Sequence, residues 1–254
     1  MAEESSTAFS QEQFDTIYPP GVEHHYWNRC RNKVIAHELA RSGAEGPMLE
    51  VGCGKGLVVR YLRSLGHVIS GVELAPVAPL PEMMTHVRTG TDVFALEPSL
   101  LNSIRTILLL DVIEHLERPA VFLADLRAAM PALQHVLVTV PAGQDLFSNF
   151  DRFNGHFRRY DRPILSEHLN DAGFTGIQSR YFFHLLYPSA RALLNFRGER
   201  PVRFTVPTGL LARLAHGLVG MALFAEYRLL PTHWRGTSLI ALARVPEVDG
   251  STLS

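Results

Sequence analysis

Leu49-Glu50-Val51-Gly52-Cys53-Gly54-Lys55-Gly56 is the stretch on which the reading of this chain turns. An apolar run ends in an acid, three glycines follow at alternate positions, and a helical pattern begins at Leu57. Glycines so spaced let a chain leave a strand, turn tightly and bring bare backbone against a ligand. The ligand expected at such a turn is an adenosine cofactor. A dinucleotide fingerprint would place its third glycine where Leu57 stands, and here Gly56 comes one residue early. A phosphate-binding P-loop is excluded, because no Gly-Lys-Ser/Thr follows.

The next acid supports a nucleoside ligand. Residues 67–72 read as a second strand, and Glu73 stands at its end. That is close to the roughly 20-residue offset at which nucleotide-binding sheets place a ribose-binding carboxylate. Its two oxygens can accept from the 2′ and 3′ hydroxyls together. For a lone glutamate a solvated strand end is an equal reading; the glycine turn argues against it.

The spacing E-x-G-x-G-x-G resembles the first motif of class I S-adenosylmethionine-dependent methyltransferases. That resemblance implies S-adenosylmethionine as cofactor. It also implies a Rossmann-like α/β fold, a seven-stranded, mostly parallel sheet with helices on both faces. The glycines Gly52, Gly54 and Gly56, with Cys53, would admit the methionine end of the cofactor. Glu50 would support the loop through hydrogen bonds, and Glu73 would take the ribose. Asp92, in Thr91-Asp92-Val93-Phe94, would accept from the adenine amino group.

Bulk composition fits this reading. The chain has 254 residues, 46% of them hydrophobic and 19% charged, with net charge −1. No global basic field exists, so bulk nucleic-acid binding is not expected. Two cysteines, Cys30 and Cys53, make neither a disulfide framework nor a zinc spacing. Residues 1–13 lack the basic-then-apolar layout of a signal peptide, so a cytoplasmic location is expected.

Strand and helix patterns alternate, which argues for a parallel sheet covered on both faces. Helices are expected at 27–41, from Leu57 to a stop at Gly66, from Pro119, and from Asp161 to near Gly173. Strands are expected at 48–51, 85–88, 104–110, 135–140, 175–182 and 237–245. The run 104–110 is continuously apolar, as a central buried strand is. Residues 1–20 read as a disordered tail, 21–182 as the core, 183–235 as a helical insertion before the last strand, 236–246 as that strand, and 247–254 as a second tail. The insertion is too long for a hairpin connection. Its most apolar part, 209–225, is interrupted by Arg213 and His216 and is shorter than the roughly 20 residues of a membrane span. It reads as a lid over the site, a homodimer contact, or a patch lying on a membrane surface.

Chemistry is expected where strands end. Leu110-Asp111-Val112-Ile113-Glu114-His115-Leu116 follows the central strand, at the mouth of an open α/β sheet. It resembles the D-V-x-E-H-L signature of many small-molecule methyltransferases, the quinone-biosynthesis O-methyltransferases among them. Asp111 is therefore expected among the cofactor-binding residues. The later Asp151…Gly155-His156-Phe157-Arg158-Arg159-Tyr160, followed by a helix ending in Ala172-Gly173-Phe174, is similar to a broad bacterial methyltransferase family. Residues 141–162 read as a long polar loop facing a small-molecule acceptor. Arg158, Arg159 and Tyr160 are the candidates to hold that acceptor, since arginine forks suit a carboxylate or phosphate.

A hydroxyl acceptor must lose a proton, and histidine is the base suited to neutral pH. His156 and His115 are the candidates, with Glu114 beside them. The same Glu114, His115 and His156 offer a second route, a divalent ion lowering the acceptor's pKa. The expectation is base catalysis without metal. Two other readings remain at this point: a protein that keeps the fold and binds the cofactor without methyl transfer, and an enzyme that uses the sulfonium for elimination or cyclisation.

Overall fold

The computed structural model describes residues 9–203 and 205–246. Its frame is a seven-stranded sheet in the order β3-β2-β1-β4-β5-β7-β6. The strands are β1 (Met48–Val51), β2 (Ile69–Val72), β3 (Val87–Arg88), β4 (Thr106–Leu110), β5 (His135–Pro141), β6 (Thr175–Phe182) and β7 (Ser238–Arg244). The five strands from β3 to β5 pair in parallel, and β7 runs antiparallel between β5 and β6. This is the expected Rossmann-like α/β sheet. Every residue of β1 and β4 is buried, which is why both read as short continuous apolar runs.

The sheet order reverses beside β1, whose partners are β2 on one side and β4 on the other. Glu50 lies opposite Gly71 and Leu108 in the two ladders. A crevice opens at such a reversal beyond the carboxyl ends of the strands.

Helices cover both faces. On one side α5 (Pro119–Ala129) and α7 (Arg162–Asp171) bury Leu123, Leu126, Leu165 and Leu169 against the sheet. Proline opens the first turn of each, and Asp161 caps α7 by accepting from the Ile164 N–H at 3.0 Å. On the other side lie α2 (Tyr26–Ser42) and α3 (Leu57–Ser64). Short helices α4 (Pro98–Leu101) and α6 (Asn149–Phe153) complete the core.

Two boundaries differ from the sequence reading. Residues 9–20 are not a tail. They hold α1 (Gln11–Ile17), started by a reciprocal Ser10–Gln13 capping box, with Phe14 buried against Ala75 and Val77. The tails expected at 1–8 and 247–254 lie outside the described residues. The expected apolar stretch 209–225 belongs to a longer helix, α9 (Leu210–Leu229), whose 20 residues are long and apolar enough by composition to cross a membrane.

One face of α9 packs on α2. A side chain at Gly220 would stand 3.2 Å from both Arg29 Cβ and the Tyr26 carbonyl oxygen, so only glycine permits this approach without displacement. The Tyr227 hydroxyl donates to Glu38 at 2.6 Å, and the Glu226 carboxylate accepts from the His184 and Leu185 N–H groups. Leu211, Leu214 and Leu218, on another face, are exposed. The companion helix α8 (Leu186–Arg197) has no fully buried residue and borders the cavity described below.

The insertion returns to the sheet at Gly236, where a Cβ would meet the Phe182 carbonyl oxygen at 2.1 Å. Backbone cannot yield there as a flexible side chain could. Gly236→Ala is expected to lower stability by about 1–3 kcal/mol, the range for overpacking. A lower urea midpoint with an unchanged denaturant slope would register it; an unchanged midpoint would contradict this packing.

Candidate functional site

A cavity of about 730 Å³ opens at the carboxyl ends of β1, β2, β4 and β5. Gly52, Gly54, Glu73, Asp92, Asp111, Glu114, His115, His156 and Arg159 all line it. Its floor is the turn after β1. Gly52 and Gly54 have φ of 74° and 54°, a left-handed backbone that favours glycine. A Cβ on Gly52 would stand 2.7 Å from Val112 Cγ2, and one on Gly54 2.7 Å from the Tyr18 hydroxyl. Gly56 stands at the far end of the same turn. It does not border the cavity; it caps α3, and its absent side chain makes room for Val87, which a Cβ would meet at 2.8 Å. Cys53 turns its side chain toward Gly71, whose added Cβ would meet the sulfur at 2.6 Å.

Glu73 holds this floor. Its Oε2 accepts from the Gly54 N–H at 2.8 Å and its Oε1 from the Ala75 N–H at 2.9 Å. Each carboxylate oxygen keeps further acceptor capacity. Asp92 is exposed on the rim and accepts from the Phe94 N–H at 2.9 Å. Asp111 stands in the left-handed region (φ 59°) and pairs with Arg31 at 2.6 Å. Glu50 is buried, and its Oε2 has no partner among the described residues. Burial pushes its carboxyl up to about 8, against the pull of the Arg31 charge.

Across the cavity stand the two histidines, their ring centroids 4.7 Å apart and nearly perpendicular. His115 lies on the 3₁₀ turn Ile113–His115, and burial, then the neighbouring His156, pulls its imidazole down to about 3. His156 Nδ1 lies 2.8 Å from Asp151 Oδ1. Arg159 Nε donates to that same oxygen at 2.8 Å. Burial alone would raise Asp151; the hydrogen bond from His156 and the charge of Arg159 outweigh it and hold the carboxyl at about 2. An ionised carboxylate only accepts, so the proton between the two sits on His156 Nδ1 and a neutral ring carries its lone pair on Nε2. Glu114 is completely buried, neither of its oxygens has a partner among the described residues, and burial, then Asp111, raises it well above the carboxylate range. One candidate ligand atom from each of Glu114, His115 and His156 fits within a mutual separation of 4.8 Å.

Residues 141–162 are not an open polar loop. They contain α6, and Asp151, Asn154, Arg159 and Tyr160 are buried. Of the three candidates to hold an acceptor, Arg159 borders the cavity but is committed to Asp151 and the Ala142 carbonyl. Arg158 points elsewhere, donating to the Glu117 carbonyl at 2.9 Å, and Tyr160 sits in the core with its hydroxyl donating to the Ile113 carbonyl. The chain builds other walls that the sequence reading did not name. Tyr18 from the segment after α1, Arg31 on α2, and Arg200 after α8 all border the cavity. Ser10 and Gln13 at capping-box spacing, with Phe14 and Tyr18 one helical turn apart, were the local signal for the first. The two arginines have none.

A family model described as a methyltransferase domain matches residues 22–179, and the chain belongs to that family. Its fold is that of class I methyltransferases. Phosphoethanolamine N-methyltransferase 2 of Haemonchus contortus, solved with phosphomonomethylethanolamine and S-adenosylhomocysteine, is similar at TM-score 0.55 and 16% identity, over 96% of this chain and 61% of that one. The 1,6-didemethyltoxoflavin-N1-methyltransferase of Burkholderia thailandensis, solved with 1,6-didemethyltoxoflavin and S-adenosylhomocysteine, is similar at TM-score 0.51 and 18% identity, over 96% of this chain and 93% of that one. At such identities the likeness is one of fold. No curated protein matches the chain.

Glu50 gives a pH signature. Its folded pKa of about 8 lies above its ordinary 4.5, so between these values the unfolded chain releases a proton that the folded chain keeps. Its stabilising contribution is therefore whole below about pH 4.5 and is lost as pH rises through about 8. Urea unfolding at several pH values across this window should show stability falling in wild type, by up to about 1.4 kcal/mol per pH unit from this group. Glu50→Gln should flatten that slope; an unchanged slope would mean that Glu50 is ionised in the fold.

Proposed function

We propose that this enzyme takes a methyl group from S-adenosylmethionine and passes it to a hydroxyl oxygen of a small-molecule acceptor. The observation that carries the reading is the buried Asp151–His156 pair on the wall of the same cavity whose floor is the Gly52–Gly54 turn. The floor fits the cofactor: two left-handed glycines expose backbone where side chains would clash, and Glu73 retains acceptor capacity for a pair of ribose hydroxyls. Asp92 on the rim would accept from an adenine amine. When bound, S-adenosylmethionine supplies an electrophilic methyl carbon on a sulfonium.

The chain's own residues do the rest. His156, held as the Nδ1–H tautomer by Asp151, offers Nε2 to the acceptor hydroxyl and removes its proton as the oxygen reacts. Asp151 is the positioning residue, and it also balances the imidazolium that forms. Arg159 fixes Asp151 from its other side. His115 lies against His156 and stays uncharged, so it adds no competing positive charge to the ring. α8 borders the cavity and α1 crosses it, which limits water around the reacting atoms.

A second reading rests on Glu114, whose two buried oxygens have no partner among the described residues and lie within reach of both histidines. Those three residues would hold a divalent ion, which as a Lewis acid lowers the pKa of a bound hydroxyl. The Asp151 contact to His156 suits this too, since metal-binding histidines commonly donate their other N–H to a carboxylate.

Glu73→Ala should weaken S-adenosylmethionine binding by tenfold or more in calorimetry, because it removes charge-assisted bonds worth roughly 1.5–3 kcal/mol each. Unchanged affinity would sink the cofactor assignment.

His156→Ala should lower kcat by about 10²–10⁴ while sparing cofactor affinity. A chelator is expected to leave the wild type untouched. Activity lost to chelation and restored by a divalent ion would replace the base reading with the metal one.

A further inference from the structure

Among the described residues, Arg200 is the arginine bordering the cavity that has no carboxylate within ion-pair distance, whereas Arg31 and Arg159 each have one. It follows α8 and reaches back over α6. Its backbone is fixed from both directions by one side chain: Asn149 Nδ2 donates to the Arg200 carbonyl at 2.9 Å, and the Arg200 N–H donates to Asn149 Oδ1 at 2.9 Å. The guanidinium lies over the Phe150 ring, 4.2 Å from its centroid, and that ring in turn faces His156 at 6.4 Å. The residue borders the cavity and is only partly exposed.

Its neighbours show what is missing. Arg159, also on the cavity wall, is answered by Asp151 at 2.8 Å. Asp111 answers Arg31 at 2.6 Å. Among the described residues no carboxylate lies within ion-pair distance of Arg200, and Asp151 acts on it only from farther away. A partly buried cation without a counter-ion is costly, and a stacked, backbone-clamped guanidinium is pre-organised to bind a planar or tetrahedral oxyanion. The adjoining wall is apolar, formed by Leu186, Ala190, Leu193 and Leu194 of α8.

We infer that Arg200 is the anion clamp of the acceptor site, which takes an amphiphile with a carboxylate or phosphate at Arg200 and an apolar body along α8. This rests on the methyl-transfer reading above and narrows its acceptor class. It moves the anion-binding role from Arg158 and Arg159, where the sequence reading put it, to a residue that has the charge free.

Calorimetry on the full chain tests it, with octanoate, octyl phosphate and neutral octanamide as probes. S-adenosylhomocysteine binding is measured first. With that ligand saturating, at least one of the two anions should bind tenfold or more tightly than octanamide, and which one binds distinguishes carboxylate from phosphate. Arg200→Met should erase the preference and leave octanamide unchanged, while Arg200→Lys keeps part of it. Affinity for S-adenosylhomocysteine should stay within about twofold in both variants. Equal binding of charged and neutral probes, a preference surviving in Arg200→Met, or no binding of any probe would overturn the anion site. If S-adenosylhomocysteine itself fails to bind, the cofactor reading falls, and the same probes titrated into the protein alone decide the anion site separately.

Discussion

Glu73 accepts from the Gly54 and Ala75 N–H groups, and through those two bonds one carboxylate ties the turn after β1 to the end of β2. Charge-assisted bonds of this kind are the strong ones, and the segment they hold is among the most flexible in composition. Three glycines with left-handed φ would lose much entropy on ordering. The carboxylate offsets this, fixes where Tyr18 rests on Gly54, and sets where α3 begins. The sheet supplies the frame for this arrangement, because Glu73 continues directly from β2, beside the β1 strand that feeds the turn.

The polar groups around the cavity follow a rule of pairing. Asp111 is matched with Arg31, and Asp151 with both Arg159 and His156. Glu50 and Glu114, which lack such partners on one or both oxygens, are driven toward the neutral form by burial instead. Removing one partner of a buried pair strands the other, which is far costlier than losing an exposed ion pair. Asp151 is the most exposed to this penalty in energetic terms, since a single oxygen serves both a cation and an imidazole.

Much of the fold was legible because burial writes itself into composition. β1 and β4 are hidden on both faces and spell continuous apolar runs, so their positions could be read within two residues. Gly52 and Gly54 were legible as a tight turn because left-handed backbone favours glycine, and Glu73 as the acid at the end of β2. That Gly56 also makes room for Val87 is a packing fact that spacing cannot express. Residues 141–162 misled because polar residues there satisfy one another inside the protein: Asp151 takes Arg159, and Gln144 accepts from the Arg159 N–H. Arg31 and Arg200 come from segments far along the chain, and no local pattern marks a side chain whose role is set by tertiary approach. α1 was hidden by its polar composition, although its cap and its aromatic pair were present.

α1 spans the cavity mouth as a strap. Phe14 is seated on Ala75 and Val77, Gln13 donates to the Phe153 carbonyl at 2.9 Å, and the Phe9 ring stands 5.0 Å from His115. A seven-residue helix has no stability of its own in water. Its latch therefore holds only as firmly as what lies beneath it. By linkage, any ligand that contacts Tyr18 or Phe9 and steadies this helix is in turn bound more tightly by the same free energy. The firmness of α1 is thus a property of the cavity it borders rather than of its own sequence.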